Sequence, residues 1–275
     1  MLQTPSVIYC AVDSLVPPRG KIQSGFDDFS AALDHANVPI IWVTDRTRLQ
    51  IDEPRRKLGH QHPFIAEGGC GVYLPEGYFH LRPSKAVRMG RFTCIPIAEP
   101  QPAASEALAD LAADAGVAVV PLRSLSPREL AQNSGLPARE AELVRQRDFD
   151  EVFFFAGASD EDITRFLAQG RDRKLLFRRR GALWSLAIGS SFKACLHELG
   201  QLYERALRSR PVFVGMATSA DDFSELFAAS SRNILLAPGE QDLANSPAGG
   251  FKARRISLES PEDWDQILKL VTTRS

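Results

Sequence analysis

The sequence predicts an α/β fold built on a parallel sheet, and three observations predict it. Short apolar runs without alternation, Val7 to Val12 and Val38 to Val43, suit strands buried on both faces. A segment of helical periodicity lies between them. Each run then stops at a polar residue, Asp13 after the first and Thr44 after the second. Open α/β sheets place their ligands beyond such carboxyl ends.

The first strand, 7–12, follows Pro5 and leads into a loop carrying Pro17, Pro18 and Gly20. Phe26, Phe29, Ala32, Leu33 and Ala36 recur at helical spacing, and the run 38–43 completes a βαβ unit. The alternation returns late in the chain. An amphipathic helix over 191–208 precedes a strand over 211–215, and a helix over 221–229 leads into a strand over 234–237. Asp13, Thr44 and the segment 216–222 are therefore expected to converge at one edge of the sheet.

Between these parts the pattern predicts a second α/β unit. Its elements are a strand at 92–97, a helix at 103–115, a strand at 117–122 and two short helices within 127–147. A strand at 152–155, a helix at 160–169 and a hairpin over 174–188 follow. The chain divides into a core of 1–91 and 190–275 and an inserted domain of 92–189.

The 275 residues carry 33 Lys and Arg against 34 Asp and Glu, a net charge of −1. That balance removes the general electrostatic reason to expect a nucleic-acid or membrane-surface binder. No apolar run reaches the roughly 18 to 20 residues of a membrane span, and the first residues lack a basic leader. Cys10, Cys70, Cys94 and Cys195 form no C-x-x-C pair and read as buried thiols of a reducing compartment, so a cytoplasmic protein is expected.

An acid ending the first strand, a hydroxyl ending the second, Lys193 opening a late helix and the acidic pair Asp221 and Asp222 after a later strand suit phosphate chemistry. Carboxylates would hold Mg²⁺ while hydroxyl and ammonium neutralise phosphate oxygens. Each also has a plain structural reading: Asp13 as a loop cap, Thr44 as an N-cap, the acidic pair as the start of a helix. Arg178-Arg-Arg180 is expected to split across both faces of a hairpin as a solvated turn. His60 and His62, with no third ligand nearby, are expected at the surface.

Longer segments carry a resemblance. His62-Pro-Phe-Ile-Ala-Glu-Gly-Gly-Cys-Gly-Val-Tyr-Leu-Pro-Glu-Gly-Tyr-Phe79 looks like P-F-I-x-E-N-G-x-x-I-x-x-P-x-G-Y-F. Ser134-Gly-Leu-Pro-Ala-Arg-Glu-Ala-Glu-Leu143, running on to Arg147-Asp-Phe-Asp-Glu-Val-Phe153, looks like T-G-L-x-x-x-x-A-x-L ending in R-x-[FY]-[DS]-E-P-F. Both patterns are those of the mannosyl-3-phosphoglycerate phosphatase branch of the haloacid dehalogenase (HAD) superfamily, which the chain resembles over nearly its whole length. The resemblance implies a Rossmann-like core with a parallel sheet, an inserted C2-type α/β cap at 92–189, and Mg²⁺-dependent phosphatase chemistry.

Its catalytic motifs are altered. The superfamily's D-x-D-G-T supplies a nucleophilic Asp and a general acid and base. Here the stretch is Cys10-Ala-Val-Asp-Ser-Leu15. With Asp13 on the second Asp, Ala11 stands where the nucleophile belongs; with Asp13 on the first, Leu15 takes the acid position. The second motif survives as Val43-Thr-Asp-Arg-Thr47, so Thr44 and Arg46 are candidate phosphate ligands, and the third as Ala187-Ile-Gly-Ser-Ser-Phe-Lys193, with Lys193 beside the phosphoryl group and Ser190 facing substrate. In the fourth, Gly215-Met-Ala-Thr-Ser-Ala-Asp-Asp222, Thr218 replaces an Asp, leaving Asp13 and Asp222 with Asp221 as candidate metal ligands. Glu67 remains from E-N-G as a candidate substrate-side residue with Ser190, but its neighbour is Gly68, and the cap's R-F-[WYL]-H has become Ala182-Leu-Trp-Ser185.

The chain is thus expected to be a pseudophosphatase that binds a phosphorylated sugar or glycerate, or a protein partner, with Mg²⁺ binding weakened or lost. The alternative is a Mg²⁺-dependent phosphatase using Asp13 as nucleophile with Asp221 and Asp222 on the metal. A third reading is a structural or regulatory subunit with an empty cleft. No nucleic-acid or membrane partner is expected; a second copy of the chain remains open.

Overall fold

A computed structural model describes residues 5–18, 21–80, 83–219, 222–236 and 251–272, and of Asn133 and Arg180 the backbone alone. The chain begins with β1 (Ser6–Ala11), α1 (Phe26–His35), β2 (Ile40–Val43), α2 (Arg48–Lys57), β3 (Phe64–Ala66), β4 (Gly71–Pro75), β5 (Val87–Met89) and β6 (Phe92–Pro96). Then come α3 (Gln101–Ala115), β7 (Val119–Pro121), α4 (Pro127–Ser134), α5 (Ala138–Val144), β8 (Glu151–Phe155), α6 (Asp160–Asp172), β9 (Leu175–Arg180) and β10 (Leu183–Ile188). It closes with α7 (Phe192–Leu207), β11 (Val212–Ala217), α8 (Ser224–Ala229), β12 (Arg232–Leu236), β13 (Arg254–Ile256) and α9 (Asp263–Thr272).

These strands form two sheets. The larger has nine strands in the order β13-β12-β11-β1-β2-β3-β4-β6-β5, and the smaller has four in the order β7-β8-β10-β9. From β13 to β3 the neighbours run parallel, and from β3 to β5 antiparallel. Every residue of β1 is buried. Ile8 and Cys10 face a core with Phe26, Trp42 and Trp264, while Val7, Tyr9 and Ala11 face another with Leu199, Tyr203 and Phe227. Cover on both faces is the reason β1 reads as an unbroken apolar run.

The strand read at 92–97 is β6, hydrogen-bonded to β4 and β5 in the larger sheet. The chain passes to the smaller sheet between Pro96 and Gln101. Two further segments, left unassigned in the sequence, are ordered by local chemistry. Helix α2 starts at a capping box in which the Thr47 hydroxyl accepts the Gln50 N–H and the Gln50 side chain accepts the Thr47 N–H. The 67–70 turn joins β3 to β4 through positive φ at Glu67, Gly68 and Gly69.

His60, expected at the surface, is instead buried. Its Nε2 lies 2.8 Å from the Ile40 carbonyl and its Nδ1 accepts from Arg55 Nε at 3.2 Å. Burial, with Arg55 alongside, holds the ring well below the usual imidazole range. His62 is also held, 2.8 Å from Tyr78 Oη and 2.8 Å from Asp34 Oδ1. Both are framework residues of the β2 to β3 connection, fixed by Arg55 nearby and by Ile40, Asp34 and Tyr78 from further along the chain. No helix among the described residues is long and apolar enough to cross a membrane.

Candidate functional site

In the larger sheet β1 lies between β2 and β11, so the chain runs outward to β3 on one side and to β13 on the other. The strand order reverses beside β1, and the crevice at that reversal is where an open α/β sheet takes its ligand. The loops after β1 and β11 meet there: the Ser14 and Thr218 hydroxyls share a hydrogen bond at 3.1 Å. Asp13, in the loop after β1, turns toward the end of β2. Its Oδ1 accepts from the Thr44 hydroxyl and from Arg46 Nε at 2.9 Å, and its Oδ2 accepts the Asp45 N–H at 2.9 Å. Thr44 and Arg46 are buried, and Arg46 Nη2 is enclosed without a hydrogen-bond partner. Ala11, the last residue of β1, packs into the apolar core beneath.

Glu67 is almost fully enclosed and engages backbone. Oε1 accepts the Asp148 N–H at 2.8 Å, and Oε2 accepts those of Phe149 at 2.9 Å and Asp150 at 3.2 Å. Burial, with the Asp150 charge beside it, pushes this carboxyl up to about 8 against the pull of Arg147. The same segment is held from other sides. Arg147 pairs with Asp150 and donates to the Asp45 carbonyl at 2.8 Å, while Asp148 accepts from Arg48 at 2.7 Å and from Tyr73 Oη at 2.8 Å. The segment 147–150, which leads into β8 of the smaller sheet, is thus strapped to the larger one.

The remaining candidates lie around the crevice. Ser190 is buried just ahead of α7. Lys193, in the first turn of α7, is exposed; its N–H donates to Glu225 Oε2 at 3.2 Å, and its ammonium has no hydrogen bond or ion pair with another described residue. Asp222 is exposed and its N–H donates to Ser219 Oγ at 3.3 Å. Asp221 lies outside the described residues.

No family model matches the chain. It is 22% identical over 207 residues, 74% of this chain and 75% of the relative, to a glucosyl-3-phosphoglycerate/mannosyl-3-phosphoglycerate phosphatase of Methanococcoides burtonii. A protein of the same name from Persephonella marina is 22% identical over 192 residues, 69% of each chain. Among solved structures, a HAD-superfamily phosphatase of Bacteroides thetaiotaomicron aligns with a TM-score of 0.63 at 13% identity, covering 98% of this chain and 96% of its own. The chain has the HAD fold. The resemblance to mannosyl-3-phosphoglycerate phosphatases extends over about 74% of the chain in sequence, and the likeness to the HAD fold over 98% of it.

Mg²⁺, which the HAD resemblance implies, takes oxygen ligands and is commonly anchored by one or two carboxylates. The described residues do not fit such a centre. Both Asp13 oxygens already accept hydrogen bonds, and the Arg46 guanidinium supplies the positive charge beside them. Thr218 offers only a hydroxyl, itself bonded to Ser14. Among the described residues no group of three His, Cys, Asp or Glu side chains is placed to hold a metal ion.

The cysteines are free and buried, and burial pushes the thiols of Cys10 and Cys195 upward, which disfavours the thiolate form. The basic run departs from its expectation. Arg179 is exposed and lies 5.6 Å from the Trp184 ring centroid, as a solvated hairpin residue would. Arg178 instead reaches back to the larger sheet, its guanidinium 4.6 Å over the Phe192 ring at the start of α7. The alternation was legible in the sequence; the partner surface was not, because it comes from β3, β4 and α7.

Proposed function

We propose that this protein is a pseudophosphatase of the HAD fold, which binds a phosphorylated sugar or glycerate between the core and the inserted cap that carries the smaller sheet, without transferring the phosphoryl group. One observation carries the reading: the Asp13 carboxylate, the acid nearest the strand end, is engaged by Thr44, the Asp45 N–H and Arg46. A carboxylate held by three donors, one of them cationic, is a poor nucleophile and a poor metal ligand. Ala11 ends β1 in an apolar core and offers no substitute. Loss of a covalent nucleophile costs about 10⁴-fold or more in the chemical step.

Binding asks less of the chain. The exposed Lys193 ammonium has no hydrogen bond or ion pair with another described residue, and the relatives' names, glucosyl- and mannosyl-3-phosphoglycerate phosphatase, suggest the ligand class. The test is a phosphatase screen over sugar and glycerate phosphates with Mg²⁺, beside a thermal-shift screen with the same compounds. Stabilisation without turnover is the expected result. Turnover above about 1 s⁻¹, abolished by Asp13→Asn, would instead establish the phosphatase alternative, with Asp13 as nucleophile and Asp221 and Asp222 on the metal. No thermal shift with any compound would favour a subunit role.

A further inference from the structure

Among the described residues of the smaller sheet, Arg178 reaches back to the turn after β3 and to the start of α7. It stands on β9 directly across from Ser185 on β10. Its guanidinium rests on Gly68: a Cβ built on that glycine would lie 2.0 Å from Arg178 Nη1 and 3.0 Å from Asp45 Oδ1. The Gly68 N–H donates to the Thr44 carbonyl at 3.1 Å, so the turn beneath Arg178 is hydrogen-bonded to the turn that holds Thr44, Asp45 and Arg46. On its other side lies the Phe192 ring, and Lys193 follows in the chain.

Arg178 is half-buried, yet beyond this ring contact it makes no hydrogen bond or ion pair with another described residue. A guanidinium offers five N–H donors in a planar fork suited to a carboxylate or phosphate. None of these donors is sealed away from solvent, and the Asp45 carboxylate flanks the same Gly68 position, so a ligand anion reaches the fork by displacing water rather than by breaking a protein contact. The aromatic face fixes the plane of the fork while leaving its edge free. Lys193 and Arg46 Nη2 add two further unpaired cationic donors around the same turns.

We propose that Arg178, seated on Gly68 and Phe192, is the specificity-determining residue of the cap side, binding an anionic group of the ligand without a metal ion. This assignment rests on the reading that a phosphorylated metabolite occupies the crevice. Gly68 is the enabling position. Any side chain there would occupy the space of the guanidinium, so the glycine at 68 and the arginine at 178 work as a pair.

Calorimetry on the full chain in EDTA tests this with three probes: 3-phosphoglycerate, glycerate and glycerol 3-phosphate. The wild type is expected to bind 3-phosphoglycerate, and Arg178→Ala to bind it about 10- to 100-fold more weakly, the loss expected for charge-assisted hydrogen bonds. Arg178→Lys should recover part of that, since a point charge lacks the fork. Gly68→Asn should reproduce the loss with Arg178 intact, because Asn tolerates the positive φ of +62° there while its side chain displaces the flexible guanidinium. It also decides the matter if Arg178→Ala fails to fold. A loss confined to glycerate-bearing probes assigns Arg178 to the carboxylate, and one confined to phosphate-bearing probes assigns it to the phosphate; either supports the proposal. Wild-type affinity in both Arg178→Ala and Gly68→Asn would overturn it while leaving the pseudophosphatase reading intact. Failure of the wild type to bind any probe would overturn the ligand class itself, and this assignment with it.

Discussion

Glu67→Ala removes the acceptor for three enclosed N–H groups, those of Asp148, Phe149 and Asp150. Each donor left unsatisfied costs about 1 to 3 kcal/mol, so the three together cost about 3 kcal/mol at the low end of that range. For a chain of this size each kcal/mol lowers the melting temperature by about 2 to 4 °C, giving a loss of roughly 6 to 12 °C. Circular dichroism melts measure this, and limited proteolysis near 147–150 should show the strap opening first. The pH dependence adds a second readout. Because the folded carboxyl titrates at about 8 and the unfolded one near 4.5, the folded state keeps a proton between those values that the unfolded state has lost. The contribution is therefore complete below about 4.5 and is lost as pH rises toward 8. Glu67→Gln, which cannot ionise, should lack that decline. A Glu67→Ala variant melting within about 3 °C of wild type, or a Glu67→Gln variant with the wild-type pH slope, would refute the strap.

His60 acts in the opposite direction. Its folded pKa lies well below 6.5, so the unfolded state takes up a proton first and stability falls as pH drops below that value. His60→Gln should flatten this acid limb in melts between about pH 5 and 7. Gly69→Ala should lower the melting temperature by several degrees: its φ is +88° and the added Cβ would lie 2.8 Å from the Phe192 backbone nitrogen, which cannot swing aside. An unchanged melt would mean that the 67–70 turn and the start of α7 are less tightly apposed.

The α/β class and the order of elements were legible because β1 and β2 are covered on both faces and therefore written as plain apolar runs. Helix α2 also carried its signal, the Thr47 and Gln50 capping box, but its polar face masked the period. The strand ends were located correctly around Asp13 and Thr44, since that placement follows from topology. What the sequence could not reveal was who holds whom. Glu67 looked like a ligand residue and is a clasp on backbone, and His60 looked exposed and is buried, because in both cases the deciding partners lie far away in the chain or on the main chain. Arg178 was obscured for the same reason: its unpaired fork becomes meaningful only when Gly68 and Phe192 are brought beneath it.

The Asp13 carboxylate has a further consequence. Planar, anionic and met by a hydroxyl, a main-chain N–H and a guanidinium, it is a tethered counterfeit of the oxyanion that such donors would otherwise receive. Any incoming phosphate that seeks Thr44 competes with a rival whose attachment to the chain gives it a high effective concentration. On the function proposed above, a phosphorylated guest would leave the Asp13 contacts undisturbed and settle on the outer cations, Lys193 and Arg178. The crevice becomes a lock whose deepest ward is already filled by its own key.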